Sequence, residues 1–212
     1  MKIIFVCTRS ITFNSFLKSQ ADYFIKKGFK VEVACSDNEN LEFNKFLNHK
    51  ISFPFKIIEL LNIIRYIEIF FQINSLVKNN PSTVFFLHTP VASHLFRLFT
   101  FFKKIKIVYF VHGFRFTLKT GVIKAFLFKT IEKILSFKTE VFITINKEDY
   151  NYAKQNFSRR ALCYKLNGVG LDQSIKNEKK KIFFKKKIKK ILVIAAYKKE
   201  KVYFELLNVA EM

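Results

Sequence analysis

Short apolar runs alternate with segments of helical periodicity from the start of the chain. Residues 2–8 (KIIFVCT) are apolar and β-prone, which is typical of a strand covered on both faces. Residues 14–27 carry apolar side chains at helical spacing and end at Gly28, a residue type that commonly stops helices. Residues 30–35 (KVEVAC) form the next β-prone run. This opening predicts a βαβ unit and therefore a parallel sheet.

The alternation continues as far as residue 172. Further strands are predicted over residues 49–53, 83–88, 106–111, 140–145 and 162–166, and further helices over residues 56–78, 90–102, 119–136 and 147–156. Strands that alternate with helices in this way favour an α/β domain with a Rossmann-like, doubly wound parallel sheet over residues 1–172.

The pattern changes after Asp172. Residues 173–190 are rich in lysine and have little periodicity, so we interpret them as a linker. Residues 191–196 (ILVIAA) are typical of a first strand, and residues 202–210 of the helix that follows it. One βα unit is too small to bury a core. Residues 191–212 are therefore expected to be the start of a second, truncated α/β domain.

Polar and glycine residues collect where the predicted strands end, and open parallel sheets bind ligands beyond those carboxyl ends. His112 follows an apolar strand and precedes Gly113, a residue that allows a ligand to approach the backbone closely, so a functional role is favoured for His112. The candidate site residues are Arg9, Ser10, His88, Thr89, His112, Gly113, Phe114, Asn146, Glu148, Asn167, Gly168 and Gly170.

Several of these residues also have a purely structural interpretation. Asn146 and Glu148 suit a helix N-cap and an acidic first turn. His88 is equally consistent with a hydrogen bond inside its own loop, and residues 167–170 with a plain turn. That segment forms neither a GxGxxG motif nor a P-loop, so its glycines do not indicate nucleotide binding.

Basic residues exceed acidic residues along the whole chain. The 38 Lys and Arg residues and 16 Asp and Glu residues give a net charge of +22, with a dense lysine block at residues 179–190. Such a surface suits either RNA or an anionic membrane. The chain has no arginine-rich arm, zinc-ligand spacing or RNP-type aromatic motif, so sequence-specific nucleic-acid binding is disfavoured. An RNA-binding basic protein nevertheless stays open as a hypothesis.

The cysteines and the N-terminus bear on the cellular compartment. Cys7, Cys35 and Cys163 lie far apart without a CxxC pair, which suggests a reducing environment. The first apolar run is too short for a secretory signal, and the longest apolar stretch, residues 57–77, is interrupted by charges. We therefore expect a cytoplasmic protein that lies peripherally at the inner face of the cell membrane.

Four stretches together resemble the N-terminal half of family 4 glycosyltransferases, and more narrowly the bacterial capsule and exopolysaccharide type. They are FLHTPVASHLFRL, IVYFVHGFRF, IEKILSFKTEVFITINKEDYNYAKQNF and NGVGLD. The resemblance implies a GT-B fold, in which an acceptor-binding N-terminal domain faces a C-terminal domain that binds a nucleotide sugar. It also implies retention of the anomeric configuration, with neither a catalytic metal nor a resident cofactor.

The resemblance assigns a role to each candidate residue. His112 would be catalytic and would face the donor and the acceptor across the cleft. The acceptor side would be lined by Arg9, Ser10, His88, Thr89, Gly113 and Phe114, the cleft rim by Asn146 and Glu148, and the entry to the linker by Asn167, Gly168 and Gly170. The chain has no glycine before Gly28, unlike many members of the family, which argues against a donor-phosphate role for the first loop.

The leading hypothesis is therefore a retaining hexosyltransferase that acts on a lipid-linked or growing surface polysaccharide. The family's donor domain, with its paired-glutamate motif, would lie beyond Met212, so the 212-residue chain is expected to bind no donor alone. The second hypothesis is a non-catalytic acceptor-binding fragment, or a subunit that pairs with a separate donor-domain chain. RNA binding is the third.

Overall fold

A parallel sheet forms the centre of the molecule. The computed structural model describes residues 1–37, 45–55, 59, 61–116 and 121–168. The strands there are β1 (Lys2–Val6), β2 (Lys30–Cys35), β3 (Leu47–Lys50), β4 (Thr83–Leu87), β5 (Lys106–Val111), β6 (Val141–Thr144) and β7 (Leu162–Lys165). They pair in the order β3-β2-β1-β4-β5-β6-β7, and every pair is parallel. This is the Rossmann order extended by β7, which confirms the predicted fold class.

Helices connect most of the strands. After β1 come α1 (Ser10–Thr12), a π-helical stretch (Phe13–Leu17) and α2 (Lys18–Lys26), and later in the chain come α3 (Ile63–Lys78), α4 (Pro90–Phe99), α5 (Val122–Ser136) and α6 (Lys147–Asn156). The first helical segment begins four residues earlier than predicted. In contrast, α3 begins only at Ile63, because the Asn62 side chain caps it by accepting a hydrogen bond from the backbone N–H of Arg65.

Apolar side chains cover both faces of the sheet. Along β1 and the residue that follows it, Ile4 and Val6 belong to one core cluster, whereas Ile3, Phe5 and Cys7 belong to the other. Residues of α3, α4 and α6 complete the first cluster, and the π-helical stretch and α2 complete the second. A strand that is buried on both faces needs apolar residues at every position, which explains why the strand sequences are continuous apolar runs.

A buried ion pair joins α4 to α5. The Arg97 side chain is fully buried, and its Nη2 lies 2.9 Å from Oε2 of Glu132, whose Oε1 lies 2.8 Å from Nε2 of His94. Burial alone raises the pKa of the Glu132 carboxyl, but Arg97 and His94 outweigh burial and hold that pKa below its usual value. The Arg97 guanidinium also stacks over the Tyr109 ring of β5 at 4.4 Å. These contacts fix α5 relative to the sheet.

The chain divides into two units, Met1–Asp172 and Gln173–Met212. Every helix and strand described above belongs to the first unit. The predicted linker (173–190) and second domain (191–212) lie outside the described residues and stay predictions. Within the described part of the chain, no helix is both long and apolar enough to cross a membrane.

Candidate functional site

The carboxyl ends of the strands meet along one edge of the sheet. The strand order reverses between β1 and β4, and the crevice at such a reversal is where doubly wound sheets bind ligands. Side chains from the ends of β2, β1, β4 and β5 contact one another in succession at this point, as the following paragraphs describe. The structure therefore brings together the candidate residues of the first, fourth and fifth strands.

The loop after β1 is held by a carboxylate from the end of β2. Oδ1 of Asp37 accepts a hydrogen bond from the backbone N–H of Ser10 at 2.6 Å, and Oδ2 accepts one from Nε of Arg9 at 3.0 Å. Burial raises the pKa of Asp37, but the hydrogen bonds from Ser10 and Arg9 outweigh it and lower the pKa overall. Arg9 is therefore held in position while 41% of its side chain stays exposed.

Two threonines join the ends of β1 and β4. The hydroxyls of Thr8 and Thr89 lie 2.7 Å apart, and the backbone N–H of Thr8 donates to the Thr89 hydroxyl at 3.1 Å. Thr89 has φ 63° and ψ 133°, and a positive φ is strained for a β-branched residue. Backbone strain of this kind is commonly found at functional sites.

His88 lies beneath the edge of the sheet and is fully buried. Its ring is stacked between those of Phe5 and Phe110, with centroid distances of 5.5 and 5.4 Å. Its Nδ1 lies 3.2 Å from Nε2 of His112. His88 therefore contacts the neighbouring histidine and core rings, and reaches a ligand at the edge only through His112.

Burial favours the neutral form of both histidines. Burial, followed by the nearby His112, lowers the pKa of His88 well below its ordinary value. Burial also lowers the pKa of His112, which is only partly exposed. Two neutral rings at this distance share one proton in a hydrogen bond, so one ring donates and the other accepts.

The surroundings of His88 decide which ring donates. Nε2 of His88 is buried and has no hydrogen-bond partner among the described residues. A buried N–H without a partner is rarer than a buried acceptor without one, so the proton of His88 belongs on Nδ1, which donates to Nε2 of His112. His112 then carries its own proton on Nδ1. The His112 ring can therefore offer that N–H to a substrate.

Gly113 and Phe114 play different parts. Gly113 has φ 133°, a conformation that side chains rarely adopt, although a Cβ there would meet no atom within 4 Å. Glycine is thus required here by the turn and not by crowding. The Phe114 side chain is buried in the core between the rings of Phe116 and Phe157, so it contacts core residues instead of the sheet edge.

The remaining candidates lie at the ends of β6 and β7. Oδ1 of Asn146 accepts from the backbone N–H of Asp149 at 2.7 Å, so Asn146 caps α6, and Glu148 is an exposed residue of its first turn. Asn167 accepts a hydrogen bond from Nζ of Lys165 at 2.9 Å. Gly168 has φ 115°. Gly170 lies outside the described residues.

Sequence reasoning missed Asp37 and Thr8. Both residues follow strands of the sheet, and that position was the signal that could have identified them. Their partners, Arg9 and Thr89, lie 28 and 81 residues away in the chain, so no local pattern reveals the contacts. Within the described ranges, no group of three or more His, Cys, Asp or Glu side chains is arranged to hold a metal ion.

The fold and the edge site define a Rossmann-like domain with a histidine pair beside the switch point, at the ends of β4 and β5. The family model described as "Glycosyl transferase 4-like" matches residues 2–146. This match covers more than half of the chain and includes the ends of β1, β4 and β5. The chain therefore belongs to the glycosyl transferase 4-like family, as its motifs predicted.

Two bacterial proteins are similar to this chain over most of its length. The chain is 27% identical over 174 residues to "Putative glycosyltransferase EpsD" of Bacillus subtilis (strain 168). The aligned residues cover 81% of this chain and 44% of that protein. It is 30% identical over 161 residues to "Uncharacterized 41.2 kDa protein in cps region" of Klebsiella pneumoniae, covering 71% of this chain and 45% of that protein. The chain thus spans less than half the length of these relatives.

Solved structures share the fold at low sequence identity. HepE of Anabaena in complex with UDP-glucose matches with a TM-score of 0.53 and 12% identity, over 82% of this chain and 45% of that one. Sucrose-phosphate synthase from Thermosynechococcus elongatus matches with a TM-score of 0.57 and 7% identity, over 81% of this chain and 91% of that one. UDP-N-acetylglucosamine 2-epimerase from Rickettsia bellii matches with a TM-score of 0.52 and 15% identity, over 78% of this chain and 44% of that one. At such identities the likeness shows the fold alone, which transferases and epimerases share.

Proposed function

We propose that residues 1–172 form the acceptor-side domain of a retaining glycosyltransferase. The enzyme would transfer a hexosyl group from a nucleotide sugar to a lipid-linked, growing surface polysaccharide. The observation that carries this proposal is the His88–His112 pair, which holds the ring of His112 beside the switch point of a chain that belongs to a glycosyltransferase family. The names of the relatives, EpsD and a cps-region protein, support a polysaccharide product.

His112 would act as a neutral hydrogen-bond donor. Transfer of a sugar separates it from a nucleoside diphosphate, and negative charge develops on the departing oxygen. A positioned N–H stabilises such charge most effectively in a site that excludes water. The Nδ1–H of His112 suits this role, because Nε2 of the same ring accepts the hydrogen bond from His88. We therefore expect no need for a catalytic metal or a resident cofactor. HepE, a neighbour in fold, was solved in complex with UDP-glucose, which motivates a nucleotide sugar as the co-substrate.

The acceptor would bind along the loops after β1 and β4. Arg9 supplies a partly exposed guanidinium that Asp37 holds in place, and a guanidinium is well matched to the phosphate of a lipid-linked glycan. Such acceptors reside at the inner face of the cell membrane, so we place the protein in the cytoplasm, peripheral to that face. Asn146, Glu148 and the segment 167–170 would border the cleft.

The test combines binding and transfer. The 212-residue chain is titrated calorimetrically with a panel of nucleotide sugars, and transfer of labelled sugar to a membrane lipid extract is measured alongside. Any transfer that the chain supports, alone or with a separate donor-domain chain, is expected to be abolished by His112→Ala, because the variant lacks the N–H of the imidazole ring, while the thermal unfolding midpoint stays close to that of the wild type. His49→Gln, a histidine replacement away from the site that keeps a donor to Glu32, is expected to leave transfer intact.

The outcomes separate the hypotheses. Transfer that survives in His112→Ala would contradict the catalytic role of His112. A folded chain that retains lipid-linked glycan but binds no nucleotide sugar would instead be an acceptor-binding fragment, or a subunit that needs a separate donor-domain chain. Binding of RNA that weakens steeply with salt, without any glycan binding, would favour the RNA hypothesis.

A further inference from the structure

A groove lies between β3, the outermost strand at one side of the sheet, and helix α3. It encloses about 420 Å³, and volumes of several hundred Å³ are typical of sites that bind small ligands. The buried side chains of Ile51 and Leu76 contribute an apolar lining, whereas most of the other lining side chains are polar or aromatic. We refer to this space as the side groove.

Three side chains follow one another along the wall that α3 forms. Phe71, Ser75 and Asn79 are four residues apart, so they lie on one face of the helix as far as its C-cap. The Phe71 side chain is 65% exposed, and its ring packs edge-to-face against Phe70 at 5.5 Å. Phe70 packs in the same way against Phe99 of α4, also at 5.5 Å. The Phe71 ring is therefore held in place while much of it faces solvent.

The polar groups of the side groove can change partners. Nδ2 of Asn79 donates to the Ser75 hydroxyl at 3.5 Å, which is long for a hydrogen bond, so both groups can bind a ligand instead. On the opposite wall, Lys50 at the end of β3 is exposed and forms no ion pair with another residue that the structure describes. The side groove thus offers an amide, a hydroxyl and an ammonium group beside an aromatic ring.

This combination matches the chemistry of an oligosaccharide. A pyranose ring has an apolar face of C–H groups that packs against an aromatic ring. Its hydroxyls both donate and accept hydrogen bonds, as amide and hydroxyl side chains do. The Lys50 ammonium favours sugars that carry a carboxylate, and the net charge of +22 attracts an acidic chain from a distance. An acidic oligosaccharide therefore fits the side groove better than a neutral one.

The side groove lies close to the loop after β1. Ile51 lines the groove, and Phe55, four residues further along the chain, packs against Arg9. Cζ of Arg9 lies 4.9 Å from the centre of the Phe55 ring. Four residues span at most about 14 Å, so a glycan of a few sugar units can reach from the loop after β1 into the groove.

We propose that the side groove binds an acidic stretch of the acceptor glycan, several sugars away from the sugar that receives the transferred group. Phe71 packs against one sugar ring, Ser75 and Asn79 bind its hydroxyls, and Lys50 binds a carboxylate. This inference rests on the proposed function for the source of the glycan. The binding itself is measured without transfer and without a nucleotide sugar.

Titration with two soluble glycans of equal length tests the site. Hexagalacturonate is the acidic probe and maltohexaose the neutral one, and both are added to nitrogen-15-labelled chain. The backbone amide signals of Lys50, Phe71, Ser75 and Asn79 are expected to shift, and the Kd for hexagalacturonate is expected to be the lower. Phe71→Ala is expected to raise both Kd values by about tenfold, because both probes lose the aromatic contact. Lys50→Gln is expected to raise only the Kd for hexagalacturonate.

The matched control is Phe126→Ala. Phe126 lies on α5 and is 67% exposed, close to the 65% of Phe71, but it does not line the side groove. Its replacement removes a similar apolar surface, and both Kd values are expected to equal those of the wild type. Thermal unfolding midpoints near that of the wild type establish that each variant is folded.

Three results would overturn the proposal. The groove signals shift with neither probe, or Phe71→Ala binds both probes as well as the wild type. In the third, hexagalacturonate alone binds, high salt abolishes the binding, and neither Phe71→Ala nor Lys50→Gln weakens it, which would assign it to the dispersed lysines. Groove binding that is confirmed while His112→Ala still transfers sugar would instead refute only the proposed catalytic role.

Discussion

The two histidines at the sheet edge have unequal surroundings, and that inequality gives them separate roles. His88 is buried between Phe5 and Phe110, whereas His112 is partly exposed and lies 3.2 Å away, Nδ1 to Nε2. A buried neutral ring with one hydrogen-bond partner determines which ring nitrogen of that partner carries the proton. His88 is therefore a positioning residue for His112.

The tautomer of His112 provides a direct prediction. In protein labelled with nitrogen-15 at histidine, two-bond correlation spectra at pH 7 are expected to show the His112 proton on Nδ1. His88→Phe fits among the neighbouring aromatic rings but cannot donate, so the His112 proton is expected to move to Nε2 in a large share of molecules. His88→Asn carries its amide nitrogen near the position of Nδ1 and is expected to restore the original tautomer.

A structural role alone would not produce this result. If the His112 proton lay on Nε2 in the wild type, the assigned direction of the hydrogen bond would be wrong. If His88→Phe and His88→Asn gave the same His112 spectrum, His88 would be only a core residue. Transfer measured for the same variants shows whether the tautomer matters for kcat, independently of protein folding.

The backbone conformation of Thr89 could not be predicted from its local sequence. Its φ of 63° is unusual for threonine, but its ψ of 133° is what the following Pro90 requires. The hydrogen bonds to Thr8 hold this conformation in place. Nothing in the local sequence indicates a positive φ at this position, because the cause lies in a residue on another strand.

At the scale of elements, α4 and α5 are coupled through Arg97 and Glu132. Both side chains are buried, and the charges compensate each other at 2.9 Å. Removal of Glu132 leaves Arg97 as an unpaired charge in the core, and removal of Arg97 leaves Glu132 with His94 alone, whereas removal of both leaves no uncompensated charge from the pair. The pair therefore anchors the second half of α5 to α4.

A double-mutant cycle measures this coupling. Arg97→Met and Glu132→Leu are each expected to lower the free energy of unfolding by about 3 kcal/mol or more. The double variant is expected to lose less than the sum of the two losses, and less than either single variant. The free energies are obtained from urea unfolding at pH 7. Additive losses would mean that the two side chains do not interact in solution.

The first helical segment differs from its prediction for a related reason. The apolar spacing predicted one helix over residues 14–27, whereas α1, a π-helical stretch and α2 follow one another from Ser10 to Lys26. The π-helical stretch buries Phe13 and Leu17 under the sheet. Asp37 holds the N–H of Ser10, so the helical segment begins there. Periodicity identifies such a segment, but contacts from another strand determine where it starts.

At the scale of the whole molecule, several carboxylates are stabilised in their charged form. Burial raises the pKa of Glu32, but hydrogen bonds from His49, Lys2 and Lys30 outweigh burial and lower that pKa to about 2. The pKa values of Asp37 and Glu132 are also lowered, for the reasons given above. A group with a lowered pKa contributes stability above its unfolded pKa and loses that contribution as the pH falls.

We therefore expect the free energy of unfolding to fall as the pH drops from about 5 to 2. Glu32 alone should account for about 2 kcal/mol of that loss, because solvent screens part of its interaction with the exposed lysine partners. Glu32→Gln is expected to be less stable at pH 7 and to show a shallower dependence on pH. Denaturant unfolding at constant ionic strength checks both statements. Equal pH profiles for the wild type and Glu32→Gln would contradict the assignment.

The sequence by itself determined the fold class and the position of the site along the chain. Strands buried on both faces must be continuously apolar, and helices packed on one side must be apolar at helical spacing, so the order of elements follows from local patterns. Parallel strands place their carboxyl ends at one edge, which located His112, Thr89 and Arg9 together. The family motifs were local as well, and the match of the family model to residues 2–146 confirmed the family that they indicated.

Only the tertiary structure decided which side chains meet. His88 and His112 are 24 residues apart, Arg9 and Asp37 are 28 apart, and Arg97 and Glu132 are 35 apart. Such contacts depend on strand order, register and helix packing, none of which leaves a periodic signal in the sequence. The same reason explains the burial of Phe114 and the exposure of Phe126. Two phenylalanines look alike in a pattern, but the neighbours that cover one and leave the other in solvent come from distant parts of the chain.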